Sequence, residues 1–566
     1  MDVLPDALEE LTARLQSLER RVAVLEHPTA PLSAPEPAAS PAAVAGEGLS
    51  LAQSGSVLSV LAYALLGIAG AYVLRYIAES SSLPRLAIAA VAIVYALLWL
   101  VGAARTPAWF SSAVYAGTST LILAPMLWEL TLSFKVLPAQ ATAAILCAFV
   151  VTATALAWKR NRAPVYWMAN AAAAAAALAL SIATHQFLPF LTTLLLMALT
   201  CEYAAARNHP WSVRPLVAAA ADLAIWALIF IYSSPQSTRT DYPALGAAGL
   251  LLPGCLLLLI YAVSVVVRTA LRGQQITVFE TSQTIIAFLL ASSSVLYFSP
   301  GWGAIVLGAV CLLFSIACYA AAFLLFRKAT ASRNFHVYSA WAACLLLAGC
   351  LLCLPPFWLA ACLALAALAA TVSHSRLTLQ LHGLVFLLAA AIASGLIEYA
   401  FHALAGSVPV SLTASVCLVA ACAFVCCAAG KRGSPESWMQ QLISLATAAL
   451  AVFALAALLV EGLLRLVALR WPPEAPHIAF IHTLVFCALA FALAKAGSRW
   501  RRVELTRLAY ATLGLVAAKL LLEDLPLGHL EVIAASIFLF AITLLAVPRL
   551  ARIEQKNVGR GGHQSS

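Results

Sequence analysis

The feature that most constrains this chain is a succession of apolar runs between residues 51 and 548. Each run lasts about 18 to 25 residues, the length that a helix needs to cross the hydrocarbon of a bilayer. Hydrophobic residues make up 63% of the 566 and charged residues only 10%, so the chain has too few polar side chains to cover a soluble surface. Membrane β-strands are shorter and alternate in polarity, whereas these runs are longer and do not alternate. The sequence therefore predicts an all-α polytopic membrane protein.

The runs predict about eighteen transmembrane helices arranged as helical hairpins. Two predicted turns are very short, FSPGW at 298–302 and LPPFW at 354–358. In each, a proline stops the helix and an aromatic ring suits the headgroup level. The predicted spans are centred near Tyr63, Val94, Leu121, Val150, Ala175, Leu196, Leu223, Cys255, Ile286, Leu313, Leu345, Leu363, Ala390, Cys417, Ala451, Val485, Leu513 and Phe538.

The basic residues of the predicted loops indicate the orientation, because cytoplasmic loops carry an excess of lysine and arginine. With the N-terminus inside, the outer loops contain Arg75, Arg85, Lys135, Arg239, Arg465 and Arg470. The inner loops contain Arg105, Lys159, Arg160, Arg162, Arg207, Arg214, Arg268, Arg272, Arg327, Lys328, Arg333, Arg376, Lys431, Arg432, Lys495, Arg499, Arg501, Arg502 and Arg507. We therefore predict that both termini are cytoplasmic.

The charged N-terminal segment, residues 1–27, is predicted to be a cytoplasmic helix. Its apolar positions alternate in spacings of four and three, which is the a/d pattern of a coiled coil. The repeat consists of Leu4, Leu8, Leu11, Leu15, Leu18, Val22 and Leu25. The pattern predicts a homo-oligomer through residues 4–26, and the alternative is an amphipathic helix that packs on its own membrane domain.

The rest of the chain is predicted to form three segments. Residues 28–50 are rich in proline, alanine and serine, a composition typical of a semi-extended linker. Residues 51–548 form the predicted transmembrane domain, and residues 549–566 form a basic, polar C-terminal tail.

Composition also argues against several kinds of site. The net charge of +10 comes from scattered loop residues and not from a basic stripe with interleaved aromatic residues, so no nucleic-acid partner is expected. The 14 cysteines lie in apolar runs and are predicted to be small buried hydrophobes, not metal ligands. Phosphate-cradling, zinc-protease and nucleophile-elbow motifs are absent from the sequence. No cofactor is expected, and membrane lipids are the expected surroundings.

Few charged residues lie inside the predicted spans, and Lys519 in the stretch AAKLLLED is one of them. Glu523 follows at i+4 and Asp524 at i+5, near the predicted outer end of the span. Either Lys519 snorkels to the headgroups beside these acids, or it lines a polar cleft that opens outward. We predict that Glu523 or Asp524 keeps Lys519 charged, and that Arg75 and Glu79 join them at the same membrane level.

Four other charged residues are candidates for a functional role. Asp222 lies near the middle of its predicted span, so it requires a partner on another helix or a protonated carboxyl. Three candidates lie toward the outer side: Arg85, Glu129 and Glu398. Two further acids, near cytoplasmic span ends, are predicted to be interfacial: Glu202 and Glu280.

Two local patterns give the chain a resemblance to a known family. After the first span, LRYIAESSSLPR combines a basic residue, Tyr, Ala, Glu and a following Arg, which are here Arg75, Tyr76, Ala78, Glu79 and Arg85. Near the C-terminus, AAKLLLEDLPLGHL holds a lysine followed five residues later by an aspartate, here Lys519 and Asp524. Together with the heptad helix, the linker and the many spans, these patterns resemble the bacterial predicted membrane proteins built on domain of unknown function 2339.

The resemblance covers nearly the whole chain and implies an architecture without an established activity. It implies a multi-pass protein of the bacterial inner (cytoplasmic) membrane, and it favours the matched charged residues over the other charges. The family usually places an arginine shortly after the matched aspartate, where Glu531 stands here.

Three functions stay open at this point. A transporter or lipid-handling permease of the cell envelope would use Asp222 and the outer charged residues as a polar path. An envelope scaffold or assembly factor would act through the coiled coil. A membrane-embedded enzyme acting at the outer leaflet would use Glu129, Glu398 or Asp524 as acid or base. The transporter is the preferred prediction, since the short outer loops leave little room for an enzyme site.

Overall fold

The structure of the protein is a computed structural model. It describes residues 51–80, 84–207, 213–235, 240–326, 333–372, 377–405, 413–429, 437–468, 475–527 and 529–561. The predicted coiled-coil helix (1–27) and linker (28–50) lie outside the described residues. The chain divides into two units, Met1–Tyr63 and Ala64–Ser566. Of the first unit only the start of one helix is described, and the contacts reported below lie within the second.

The described residues form helices joined by short connections, with no strand among them. In chain order the helices are α1 Leu51–Ser80, α2 Arg85–Arg105, α3 Trp109–Leu132, α4 Ala139–Arg160, α5 Ala163–Ala183, α6 Phe187–Ala206, α7 Arg214–Ser233, α8 Ala247–Val266, α9 Val278–Phe298, α10 Trp302–Leu324, α11 Arg333–Cys353, α12 Pro356–Val372, α13 Leu377–Ala393, α14 Leu396–Ala405, α15 Ala414–Ala429, α16 Trp438–Ala468, α17 Ala475–Trp500, α18 Val503–Lys519 and α19 Leu530–Gly561. Two π-helical turns, Val267–Leu271 and Leu520–Asp524, extend α8 and α18. The predicted all-α class is confirmed.

The helices agree with the predicted spans in position and roughly in number. Every predicted span centre, from Tyr63 to Phe538, falls within a helix. In the described part of the chain, fifteen helices are long and apolar enough to cross a membrane, or sixteen if α13 and α14 form one bent span. Two apolar helices are shorter, α12 with 17 residues and α15 with 16. The last helix continues to Gly561, so the first part of the predicted tail is helical.

The bend between α13 and α14 was not predicted from the hydropathy pattern. The two helices meet at 65° across a break of two residues, Ser394 and Gly395. Gly395 has a φ of 74°, a left-handed conformation that commonly ends a helix and that glycine adopts without a Cβ clash. A window average over apolar residues cannot detect such a break, because the residues on both sides remain apolar.

Close backbone contact joins two successive helices, α10 and α11. Gly308 on α10 faces Gly349 on α11, and a Cβ added to Gly349 would lie 2.9 Å from the carbonyl oxygen of Gly308. Helices in membranes lack a hydrophobic driving force between them, so small residues that allow close packing stabilise such pairs. The two glycines therefore allow the backbones of α10 and α11 to approach closely at this point.

Large apolar side chains remain on the outside of the second unit. On α10, Leu313 is 67% exposed and Leu324 is 80% exposed. Such exposure is unfavourable in water but matches the hydrocarbon of a bilayer. With the number of apolar helices, it identifies the protein as a multi-pass α-helical membrane protein.

Candidate functional site

The ammonium group of Lys519 lies among oxygen atoms between α17 and the end of α18. Its Nζ donates to the carbonyl oxygen of Ala479 at 2.5 Å, to the hydroxyl oxygen of Thr483 at 2.8 Å and to Oδ1 of Asp524 at 2.5 Å. Thr483 in turn donates to Oδ2 of Asp524 at 3.1 Å. The side chains of Lys519 and Asp524 are only 8% and 0% exposed. Lys519 is thus paired inside the protein; we call these four residues the Lys519 site.

A π-helical turn explains why Lys519 pairs with the acid five residues further on. In a regular α-helix, residues i and i+5 are rotated about 140° apart, whereas i and i+4 share a face. Residues Leu520–Asp524 form a wider π turn, which brings the carboxylate of Asp524 round to Lys519. Glu523, at i+4, is left with its Oε2 3.9 Å from Lys519 Nζ. Local backbone geometry therefore selects the partner.

A histidine and a glutamate adjoin the Lys519 site. The Nδ1 atom of His482 lies 3.7 Å from Oε1 of Glu523, and the histidine side chain is buried. Among the described residues its Nε2 atom has no hydrogen-bond partner. The side chain of Glu523 is 44% exposed. Glu523 therefore lies between Lys519 and His482, with access to the outside of the site.

A cavity of about 290 Å³ borders the site on the side of α19. Asp524 is the charged residue in its lining. The other lining residues are apolar: Ala517, Leu520, Leu521, Leu525, Ile533, Ile537 and Phe540. Asp524 thus borders a space whose other walls are hydrophobic, while its carboxylate oxygens bind Lys519 and Thr483.

Asp222, the predicted mid-span carboxylate, has its partner on another helix. The side-chain amide nitrogen of Gln283 on α9 lies 2.8 Å from Oδ1 and 3.0 Å from Oδ2 of Asp222. Gln283 is 4% exposed. The sequence predicted that a partner on another helix or a proton is required here, and the structure supplies an amide donor but no cation in these contacts.

A cluster of four charges, with both of its carboxylates buried, lies at one end of α6, α7, α8 and α9. Arg214 binds Glu202 through two parallel hydrogen bonds of 2.8 and 2.7 Å and reaches Glu280 at 3.2 Å. Arg268 also contacts Glu280. Glu202 and Glu280 are 4% and 2% exposed. Two arginines thus neutralise two glutamates, and we call these residues the four-charge cluster.

Local structure positions the members of the four-charge cluster. Glu280 belongs to a capping box, in which the Thr277 hydroxyl accepts from the Glu280 amide and the Glu280 carboxylate accepts from the Thr277 amide. The π turn Val267–Leu271 carries Arg268 beside it. Ser264 donates to Glu202 at 2.5 Å. A cap, a π turn and a hydroxyl donor therefore hold the carboxylates in place.

The four-charge cluster was missed in the sequence. We predicted Glu202 and Glu280 to be interfacial and gave them no partner, yet the structure buries both between helices. One signal was present: successive antiparallel spans bring the end of α6, the start of α7, the end of α8 and the start of α9 to one level, and each carries a charge. Lys519, Arg75 and Glu79 were grouped because they lie at one predicted membrane depth, and the same criterion would have grouped these residues.

A groove beside α1 and α3 contains two of the predicted site residues, which the sequence did not pair with each other. Arg75 forms an ion pair with Glu129 at 2.8 Å, with side chains 45% and 17% exposed. The pair lines a cavity of about 220 Å³ with otherwise mostly apolar walls, which we call the Arg75 groove. Its other lining residues are Ile68, Ala71, Tyr72, Leu74, Ala92, Leu121, Ile122, Pro125 and Met126.

The predicted outer charges thus form separate pairs in these contacts. Arg75 meets Glu129, and Lys519 meets Asp524. The side chains of Glu79 and Arg85 lie outside the described part of the chain. Glu398 on α14 is exposed; its Oε1 lies 3.9 Å from Nε2 of His402, one turn further on.

No group of three or more histidine, cysteine, aspartate or glutamate side chains that could hold a metal ion occurs among the described residues. The 14 cysteines, all in described helices, are free thiols. The charged clusters above are therefore the candidate chemical sites of the described chain.

Comparison with known proteins adds no relative: no family model, curated protein or solved structure matches the chain. The resemblance to the family of domain of unknown function 2339 therefore stays a prediction from the quoted motifs, and the function must be inferred from the geometry of the sites.

Proposed function

We propose that this protein is a transporter of the cell envelope, a permease that handles a lipid or a similar amphiphile. The observation that carries this proposal is the hydrogen-bonded pair Asp222–Gln283 above the four-charge cluster. Asp222 lies eight residues beyond Arg214 on α7, which is about 12 Å along the helix axis. Polar groups therefore extend from the helix ends well into an apolar bundle.

The energetic cost of these groups supports a functional role. Charged side chains inside membrane helices are expensive, and those that persist usually line ion or substrate paths. A packed apolar interior would be a cheaper way to join α6, α7, α8 and α9, because buried ion pairs rarely exceed hydrophobic packing in stability. The polar series from Arg214 to Asp222 fits a proton or ion path better than a structural core.

The Arg75 groove supports an amphiphile as the substrate class. Its walls are apolar, and Arg75 and Glu129 lie in the lining. An acyl chain matches such walls, and a polar headgroup matches the ion pair. The scaffold alternative depends on residues 1–27, which lie outside the described residues.

The test is transbilayer movement of a labelled lipid in reconstituted vesicles. Wild-type protein should accelerate the exposure of NBD-labelled phosphatidylglycerol or phosphatidylethanolamine to dithionite, relative to empty vesicles. Asp222→Asn should return the rate to that of empty vesicles, because it removes the mid-span charge and keeps the volume. The matched control is Asp241→Asn, which changes an exposed loop carboxylate and should retain the wild-type rate.

Two outcomes would count against the proposal. If wild-type vesicles move neither lipid faster than empty vesicles, the lipid-handling function is wrong. If Asp222→Asn keeps the wild-type rate while deletion of residues 1–27 abolishes function in cells, the scaffold alternative is favoured.

The proposal includes an orientation in the inner membrane of a bacterial cell, with both termini on the cytoplasmic side. The basic residues of the predicted inner loops support it. In a cysteine-free background, a cysteine replacing Arg239 should react with a membrane-impermeant maleimide on intact cells, and one replacing Lys431 should react only after permeabilisation. The reverse labelling pattern would show that the orientation is inverted.

A further inference from the structure

The surroundings of Lys519 resemble the coordination shell of a small cation. Three oxygen atoms from different chemical groups converge on its Nζ: a backbone carbonyl, a hydroxyl and a carboxylate, at 2.5, 2.8 and 2.5 Å. Hard monovalent and divalent cations are bound by oxygen ligands of these kinds. In transporters, backbone and side-chain oxygens beside irregular helix turns coordinate sodium ions. The ammonium of Lys519 occupies the centre of such a shell, beside a π turn.

We propose that the oxygens of Ala479, Thr483 and Asp524 form a binding site for a monovalent metal cation, in which the Lys519 ammonium is a built-in competitor. The proposal goes beyond the transport function: the role of the cation in transport rests on that function, but the existence of the site does not.

The charges of the site favour a monovalent ion. Asp524 and Glu523 contribute two carboxylates, whereas Lys519 contributes one ammonium. One further positive charge makes the group electroneutral. A divalent ion would leave an uncompensated buried charge, which is costly in an apolar interior.

Glu523 provides the alternative partner that an exchange requires. Its Oε2 already lies 3.9 Å from Lys519 Nζ, and its side chain is partly exposed. When the ammonium of Lys519 moves to Glu523, the three oxygens are released, and the metal ion pairs with Asp524. Each carboxylate then keeps one cation, and no proton or electron is transferred.

The experiment uses the purified full-length protein in detergent at one pH, with sodium, lithium or potassium chloride as the probe. N-methyl-D-glucamine chloride at equal ionic strength is the reference salt. Lys519→Met should give a saturable rise in Tm with at least one of the three metal ions, because the competitor has been removed. Equilibrium binding of ²²Na⁺ to the same variant measures the site directly.

Three further variants make the test specific. Lys519→Met combined with Asp524→Asn should lose the saturable response, because the carboxylate ligand is gone. Lys495→Met, which removes an exposed lysine on α17, should respond as the wild type does. Glu523→Gln should weaken binding relative to wild type, because Lys519 then has no second carboxylate to which it can move.

The inference is wrong if Lys519→Met elutes as a monodisperse folded protein and binds none of the three ions saturably. It is also wrong if Lys519→Met and the variant that combines it with Asp524→Asn respond alike. If Lys519→Met does not fold, the test is ²²Na⁺ binding to the wild type and to Glu523→Gln. Equal binding to the two proteins, or no binding to either, rejects the site. A protein that binds sodium but moves no labelled lipid rejects only the proposed function.

Discussion

Arg214→Met should lower the free energy of unfolding by about 3–5 kcal/mol, the range for removing one partner from a buried ion pair. Arg214 binds both oxygens of Glu202 and also reaches Glu280. Without it, Glu202 keeps the hydroxyl of Ser264 as a donor but no cation among these contacts. The expected loss comes from the carboxylate left behind in the interior, more than from the contact removed.

The measurement is reversible unfolding in mixed micelles with increasing denaturing detergent, followed by tryptophan fluorescence. Arg272→Met is the matched control, since Arg272 is an exposed arginine one turn beyond Arg268, and it should change stability by less than about 0.5 kcal/mol. Arg214→Met combined with Glu202→Gln should recover part of the loss, because the buried charge is gone. A loss in Arg214→Met no larger than in Arg272→Met would show that removing Arg214 does not leave an uncompensated buried carboxylate.

Lys519→Met and Asp524→Asn should each destabilise the protein by roughly 3 kcal/mol or more, and the double variant should cost less than their sum. The reason is that Lys519 Nζ and Asp524 Oδ1 form a direct buried pair at 2.5 Å. Once one charge is absent, removing the other relieves an unpaired buried charge. The expected coupling free energy is about 1–3 kcal/mol, within the range for contacting residues.

The cycle is measured by the same unfolding assay in buffer without metal cations, so that no bound ion replaces the lysine. A parallel cycle of Lys495→Met with Asp524→Asn is the control, because Lys495 is exposed on α17; its effects should add to within about 0.5 kcal/mol. If the effects in the Lys519 cycle are additive as well, Lys519 and Asp524 stabilise the protein independently of each other.

The helices could be predicted because the bilayer imposes one length on every span. That constraint placed each centre from Tyr63 to Phe538 within a helix without any knowledge of packing. It says nothing of where a helix bends, so the break at Gly395 was not foreseen. It also cannot separate the shorter helices α12 and α15 from full spans, because apolar content alone defines the runs.

The sites could be predicted only where the free-energy cost of a charge in apolar surroundings marked a single residue. Lys519 and Asp222 stand alone in apolar surroundings, so a partner was required of each, and the structure supplies Asp524 and Gln283. The identity of the partner depends on helix rotation and on which helices are neighbours, which sequence periodicity does not contain. Arg75 shows the limit: it shares a predicted level with Lys519, yet the partner found for it is Glu129 on α3.

Because of the π turn after α18, the contacts of the Lys519 site depend on the number of residues in that turn. A π turn is in effect an α-helix that has gained one residue, so its register shifts relative to the turns before it. Loss of a single residue between Leu520 and Leu522 would restore the regular helix and move both acids one position closer. The aspartate would then lie at i+4 and the glutamate at i+3 from the lysine, so both acids would share its face of a regular helix. In this segment a one-residue deletion would change which acids share the face of the lysine, although every charged residue is kept.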